Sequence, residues 1–595
     1  MEPKATALRS AGDVEADILH SVQAIIRELD QDKPTFQRSQ GMFRWTLHKK
    51  IERDPYNSMI LARILIDELE QAMRENKPYL IPLLNTLLYT IIQAVYIPDD
   101  LYEKAYKFCK ELLSWARPYC TIGYEYAVML HAERKAPGAL HQKLVVSEHC
   151  LKNESFSHGE KVFVFADPDL VSKEVCDALR TEVHSATASQ PSAVYKMHVI
   201  QHCLQAALGE SCDLELLLEA LQSKPHCVIE RYFQEVVGVM YHSCSSKKEV
   251  PATRSKHSSR LHQLYTNILG STHQVTPLKG RLRNIPLPNP DVRLVMWRED
   301  DALWQELEEF VTGRLCSEES SMNSDMDNAE MNEHVNWSNN EQTRLSVLST
   351  DSGIVRDCGD AFAAQDTESP QDSMLAHSPH PETCEVERPK LSRRHGMKIK
   401  HTGSDKQTPL LDFIDGASSL QRRSGRNALL FNLKVQRAFT ARVVMIGNDC
   451  ILGRLAKAFH SLRKREVQRL FLTSKLDVEF YYVPVLNTKW ASASLSKVCP
   501  SLNGDHSCEL SRYLGIIDPW YHSNIHSLQT MVPELATMSA SCRQPSRSDP
   551  FIVDVITYYV RMGHQPVCFQ IYSVKLVFAQ EMTVFVEDVF LIQLQ

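Results

Sequence analysis

The stretch ARVVMIGNDCILGRLAKAFHSLRKRE, residues 441–466, does most to limit what this chain can fold into. A β-branched run (Val443, Val444, Ile446) meets a glycine at Gly447, and an apolar-periodic helix starts behind Asn448 or Asp449 as its N-cap. Strand, glycine turn and helix in that order form the unit on which phosphate sites are usually built. The residues that would hold phosphate are missing. A dinucleotide fingerprint needs glycines two apart, and no two glycines of this chain stand two apart. A P-loop needs four residues between its glycines and then Lys-Ser/Thr; here five residues separate Gly447 from Gly453, and Arg454 and Leu455 follow. The scaffold without the cradle points to a domain that binds and positions something else.

Other strand-like runs fit the same domain. VFVFADP (Val162–Pro168) precedes a helix, and VRLVMW (Val292–Trp297) follows the turn IPLPNP (Ile285–Pro290) and precedes a helix near Leu303–Val311. Val478–Val485 supplies a further run, and helices are expected at Tyr195–Ala207, Leu214–Leu221, Val228–Tyr241 and Leu261–Leu269. Strands alternating with helices predict an α/β domain assembled from two halves of the sequence, residues 156–315 and 431–548.

Between the halves, residues 316–430 lack periodicity. From Glu318 to Glu387 there are sixteen Asp/Glu against Arg344 and Arg356 alone, and then Arg388, Lys390, Arg393, Arg394, Lys398, Lys400 and Lys406 reverse the sign. Such a segment is expected to be a disordered insert, acidic then basic, because it cannot bury enough apolar area to offset its ordering entropy. Ser346, Ser349 and Ser352, in the apolar island RLSVLSTDSGIVRD, are candidate phosphorylation sites, although any serine-rich loop offers such matches.

Residues 1–155 read as successive helices: Val14–Leu29, Ser58–Arg74, Tyr79–Val95, Leu101–Trp115, Thr121–Lys135 and Leu140–Leu151. Breaks fall at Pro34, Pro55, Pro78, Pro98, Pro118 and Pro137–Gly138, as in an α-solenoid. Tyr79–Pro98 carries no charge, but its apolar residues come in pairs at helical period. Asn85, Thr86, Thr90 and Gln93 fill the other side, so a core helix is expected rather than a membrane span. Residues 549–595 open on a helix, with Asp549 as cap, Pro550 in its first turn and Gly563 at its end. Two β-rich runs follow, Val567–Phe578 and Thr583–Gln595. A long apolar edge at the last residue leads us to expect further sequence beyond Gln595.

Little chemistry is visible. A net charge of −7 on 595 residues gives no reason to expect nucleic acid. The sixteen cysteines form no CxxC pair and the first residues contain no apolar signal core, so reduced thiols in a cytoplasmic protein are expected, with no zinc, other metal or cofactor. Nucleophile-elbow, HExxH and EF-hand patterns do not occur. Arg463, Lys464 and Arg465 end the helix of the opening motif. Cations there complement the helix dipole and most often only solvate a surface. They are also a candidate contact for an anionic membrane or acidic partner, at about 1 kcal/mol each near a charged leaflet. DPWY (Asp518–Tyr521) reads as a packed corner more than a recognition knob.

Taken together, RWTLHKKIERDP (Arg44–Pro55), RLSVLSTDSGIVRD, the 441–466 motif, YLGIIDPWYHSNI (Tyr513–Ile525) and DPFIVDVITYYVRMG (Asp549–Gly563) resemble one family, the adaptor subunits of class IB, G-protein-activated phosphoinositide 3-kinase. The fit is closest to the smaller of its two adaptor types. The resemblance implies a multidomain α plus α/β protein: a helical solenoid, a central barrel-like α/β domain split by the insert, and a C-terminal β-sandwich. It implies no catalysis and no cofactor. It also implies that such a subunit binds the catalytic gamma subunit and supports Gβγ-dependent recruitment of the kinase to the plasma membrane, where contact is peripheral. Family members continue past the position of Gln595, into the domain implicated in Gβγ contact. Two other readings stand beside this one: an enzyme with an unrecognised phosphate or lipid site on the α/β domain, and a general solenoid scaffold. An open pocket at Gly447–Gly453, lined by convergent amides and Arg454, favours the enzyme; a loop packed shut favours the adaptor.

Overall fold

Apolar residues three and four positions apart make the first part of the chain helical. In α1 (Ala11–Leu29) the spacing brings Ile18, Val22 and Ile25 onto one fully buried stripe. The computed structural model describes residues 11–30, 42–187, 191–270, 280–322, 438–468, 475–485, 509–525, 527–541, 552–561, 571–577 and 584–590. Helices α2 (Met42–Ile51), α3 (Pro55–Arg74), α4 (Leu80–Gln93), α5 (Asp99–Glu111), α6 (Tyr119–Lys135) and α7 (Ala139–Glu148) follow α1. Asp54 caps α3 by accepting from the Tyr56 N–H at 3.0 Å, and Pro55 occupies the first turn, where a missing N–H costs nothing. The charge-free run forms α4, and every residue of that helix is buried. Its polar side chains are therefore inside too, not on an outer face as the spacing implied. The hydroxyls of Thr86 and Thr90 donate to the carbonyls of Pro82 (2.8 Å) and Thr86 (2.7 Å), which removes the cost of burying them. Among the described residues no helix is long and apolar enough to cross a membrane.

After β1 (His158–Ala166) come α8 (Lys173–Thr187), α9 (Ser192–Leu208), α10 (Leu214–Gln222), α11 (His226–Cys244) and α12 (Val250–Leu269). Helices α9, α11 and α12 pack on α6 or α7, extending the helical stack. Then come β2 (Val292–Met296), α13 (Ala302–Met322), β3 (Ala438–Gly447), α14 (Asp449–Gln468) and β4 (Leu476–Pro484). The four strands form one parallel sheet in the order β2-β1-β3-β4, with Phe163 opposite Val443 and Val443 opposite Phe480. Residues two apart share a face. Phe163 and Phe439, on one face, meet the ring of Phe310 from α13. The opposite face carries Glu160, Arg442 and Glu479.

This sheet is open at β2 and β4, so the expected barrel-like closure is not what the described strands form. Four strands are too few to curl round a packed interior. The chain continues through α15 (Glu509–Ile517), α16 (Pro519–Ser523), α17 (Leu528–Ser541) and α18 (Ile552–Val560) to β5 (Ile571–Val577) and β6 (Val584–Phe590). These last two strands pair antiparallel, and β6 lies along α14. They make a ribbon; a second sheet that would complete the expected sandwich is not present among the described residues. The proposed cap Asp549 lies outside the described residues. A carboxylate from another helix serves the start of α18: Glu182 Oε2 of α8 accepts from the N–H groups of Ile552 (2.7 Å) and Val553 (2.9 Å).

Candidate functional site

The strand order β2-β1-β3-β4 reverses between the parallel strands β1 and β3, and ligands of such sheets bind beyond the carboxyl ends of those strands. Here that place is filled by the protein itself. Asn448 Oδ1 accepts from the Cys450 N–H at 3.0 Å, and the Asn448 carbonyl takes the Ile451 N–H at 3.0 Å, so the first amides of α14 are used. The Gly447 carbonyl accepts from Val485 N–H (2.8 Å), and a Cβ on Gly447 would stand 3.0 Å from Ile451 Cδ1. Arg454 turns away, with Nη1 donating to the Trp297 carbonyl at 2.7 Å and lying 3.9 Å from Asp167 Oδ2. Asp449 accepts from the Tyr482 hydroxyl (2.9 Å) and the Leu510 N–H (3.1 Å). The loop is packed shut, and no set of free amides converges there.

The other sequence candidates are scattered. Arg465 pairs with Asp301 at 2.9 Å and stands 5.5 Å from the centre of the Trp304 ring, which ties α14 to α13. Lys464 is exposed, and the side chain of Arg463 lies outside the described residues. Ser346, Ser349 and Ser352 also lie outside them. DPWY is a packed corner at its described positions: Asp518 and Tyr521 are buried, and the Tyr521 hydroxyl donates to the Tyr482 carbonyl at 2.8 Å.

What the structure does bring together are the segments that stand out in the sequence. Arg44 of α2 is buried beside the ring of Tyr559, and its guanidinium donates to Asn524 Oδ1 and the Ser523 carbonyl. Trp45 Nε1 donates to Asp554 Oδ2 at 2.8 Å, and Lys49 pairs with the same carboxylate at 2.9 Å. His48 lies edge-on to Tyr89 and against Tyr558; burial, then the Lys49 and Arg44 charges, push its pKa down to about 3. At the far end of α18, Arg561 forks onto Glu148 of α7 at 3.0 and 2.9 Å. Arg561 also donates to the Tyr89 hydroxyl (3.0 Å) and the Pro288 carbonyl (2.6 Å). Burial opposes its charge, but Glu148 more than offsets that and keeps the guanidinium protonated. From the sheet, Arg442 reaches Glu160 (2.8 Å), Glu479 (3.4 Å) and Glu148 (3.9 Å).

This junction closes α2, α7, α18 and the sheet around one buried, charged centre. Its chemistry is that of assembly: paired charges and stacked rings fix where the C-terminal helix sits. Sequence reasoning missed α2, Glu148 and Glu182. A lone arginine inside the apolar strand ARVVMIG, and another ending an apolar helix, are the available signals, since a buried charge requires a buried partner.

Residues 13–412 and 418–594 match a family model described as "Phosphoinositide 3-kinase gamma adapter protein p101 subunit". Among similar proteins, the human protein named phosphoinositide 3-kinase regulatory subunit 6 is 40% identical over 98% of this chain and 74% of its own length. Its mouse counterpart is 39% identical over the same shares. The mouse protein named regulatory subunit 5 is more distant, at 25% identity over 97% of this chain and 77% of its own.

Proposed function

This chain belongs to the family of phosphoinositide 3-kinase gamma adapter proteins, and on that premise we propose that it is a non-catalytic regulatory subunit of such a kinase. It binds the catalytic gamma subunit and supports Gβγ-dependent recruitment and activation of the kinase at the plasma membrane. The observation that carries this reading is the relationship to regulatory subunit 6, which runs through 98% of the chain. The shut crevice at Gly447 supports it independently, because the enzyme alternative needs an open site there. The test is co-expression of this chain with the catalytic gamma subunit, followed by gel filtration. A stable one-to-one heterodimer is expected; two separate peaks would reduce the protein to a general scaffold.

We also place membrane contact on the basic end of α14. With Arg465 engaged by Asp301, Arg463 and Lys464 are the residues to test. Reversing both to glutamate is expected to weaken binding of the heterodimer to anionic liposomes at least tenfold, at about 1 kcal/mol per charge removed, and to leave melting unchanged. Equal binding would make the cluster a solvated helix end. Ser346, Ser349 and Ser352 are proposed as sites where phosphorylation adjusts the adaptor.

A further inference from the structure

We propose that the outer edge of β4 binds an extended basic segment of a partner protein, which joins the parallel sheet as one more strand. β4 ends the sheet, so one side of its backbone has no neighbouring strand. The Phe439 N–H donates to the Lys475 carbonyl and the Val485 N–H to the Gly447 carbonyl. These two bonds fix the phase of the ladder: odd-numbered residues of β4 face β3, and even-numbered ones face outward.

The outward groups fall into two stretches. At Tyr482 the protein covers its own edge, because Tyr521 of α16 donates its hydroxyl to the Tyr482 carbonyl at 2.8 Å. From Leu476 to Phe480 it does not. The carbonyls of Leu476, Val478 and Phe480 and the N–H groups of Leu476 and Phe480 meet no partner among the described residues. The Val478 N–H draws only the neighbouring Asp477 carboxylate. At ~3.3 Å per residue this open stretch is about 16 Å long, close to an ordinary short strand. Backbone groups aligned in this way are what an added strand pairs with.

The side chains select the kind of strand. Successive ones alternate between the two faces. Leu476, Val478 and Phe480 share the apolar face, where Phe480 meets the ring of Phe459 of α14 edge-on. The other face carries Lys475, Asp477 and Glu479, one cation against two carboxylates. Asp477 is exposed. Glu479 accepts from the Tyr481 hydroxyl at 2.7 Å and shares Arg442 with Glu160 and Glu148. Glu125 of α6 adds a third carboxyl: burial first, and then the Glu479 charge, raise its pKa to about 7. The same two causes raise that of Asp477. Each of these carboxyls feels the Glu479 charge as a cost, and a cation placed on this face would lower it. The fitting strand therefore alternates apolar residues with Lys or Arg. A second copy of this chain does not meet that need. Antiparallel pairing of two such edges about Val478 sets Asp477 against Glu479, acid against acid.

The test is fluorescence anisotropy of the labelled peptide GVKVRVG titrated with the full chain. Saturable binding is expected, at least tenfold tighter than that of GVEVEVG. Val478→Pro removes one outward donor where an edge strand tolerates proline, and is expected to weaken binding at least tenfold. Asp477→Lys reverses the exposed charge and is expected to weaken it at least threefold. Only alternate N–H groups of an added strand face the sheet. Methylating the backbone nitrogens of the three valines, or instead those of the lysine and arginine, is therefore expected to abolish binding in one case and spare it in the other. No saturable binding, equal affinity for the acidic peptide, equal binding of the two methylated forms, or undiminished binding by a folded Asp477→Lys variant would each overturn the proposal. A dimer of the chain alone that Val478→Pro dissociates would also overturn it, by giving the edge to a second copy.

Discussion

Replacing Arg561 with methionine is expected to destabilise the protein by roughly 3–5 kcal/mol, because the change leaves Glu148 as a buried carboxylate without its partner. Glu148 is 1% exposed, and the nearest remaining cation, Arg442, stands 3.9 Å away and is already shared with Glu160 and Glu479. The loss also removes the guanidinium donors to the Tyr89 hydroxyl and the Pro288 carbonyl. The double change Glu148→Leu with Arg561→Met removes both charges and is expected to recover most of that loss, since an apolar pair of similar volume fills the same space. Thermal melts of the two variants, with limited proteolysis to follow release of α18, check this. If the single and double variants melt together, the fork is not what holds α18 to α7.

A regulatory subunit without an active site acts through the surface it presents, so its elements must hold fixed relative positions. The junction provides that by joining α2 to α18 across 509 positions of sequence, through Trp45 and Asp554. It also explains why RWTLHKKIERDP and DPFIVDVITYYVRMG stand out together. Trp45 and Lys49 of the first segment bind Asp554 of the second, and every described residue of the second except Asp554 is buried.

How far the sequence could be read follows from the range of the forces involved. The apolar spacing of α4 is a local signal, and it places that helix within two residues of its ends. The same pattern could not show that Asn85, Thr86 and Thr90 go inside, because their partners are backbone carbonyls and the Tyr126 hydroxyl. Helix α2 is short, ten residues, and its apolar positions are interrupted by Arg44, His48, Lys49 and Lys50. Its helicity rests on packing against α1 and α3 and on the bonds of Trp45 and Lys49 to Asp554 of α18, which no local window contains. The basic run at Arg463–Arg465 was legible as charge. That Arg465 is claimed by Asp301, 164 positions earlier, was not. For the phosphate crevice, missing glycines correctly signal an empty motif, but only the placement of Ile451 and Arg454 shows the space to be filled.

Acid is expected to unfold this protein well above the pH at which carboxylates titrate. His48, His141, His202 and His257 are all at most 1% exposed. Burial is the first cause in each: it pushes His48 and His202 to about 3 and His257 to about 4, and holds His141 far below its ordinary value. Unfolded histidine titrates near 6.5. The folded pKa is therefore the lower one, and between the two values the unfolded chain binds more protons. Stability is complete above pH 6.5 and falls as the pH drops towards 3–4. Each such histidine costs about 2 kcal/mol between pH 7.5 and 5, at ~1.4 kcal/mol per unit. Glu133 works in the opposite direction. Burial raises its pKa to about 7, so the folded state gains on its protonation, about 2 kcal/mol over the same window. His149, which burial pushes to about 3, adds to the loss, and Glu125, which burial raises to about 7, offsets it, leaving a net loss of roughly 6 kcal/mol, comparable to the whole stability of many domains. Denaturant titrations at pH 7.5, 6 and 5 measure the slope. His202→Phe preserves a ring against His141, which it stacks on at 3.7 Å, and removes one titrating group. It is expected to flatten the slope by about 1.4 kcal/mol per pH unit near pH 5. A stability that stays level from pH 7.5 to 5 would mean that these imidazoles accept protons inside the fold.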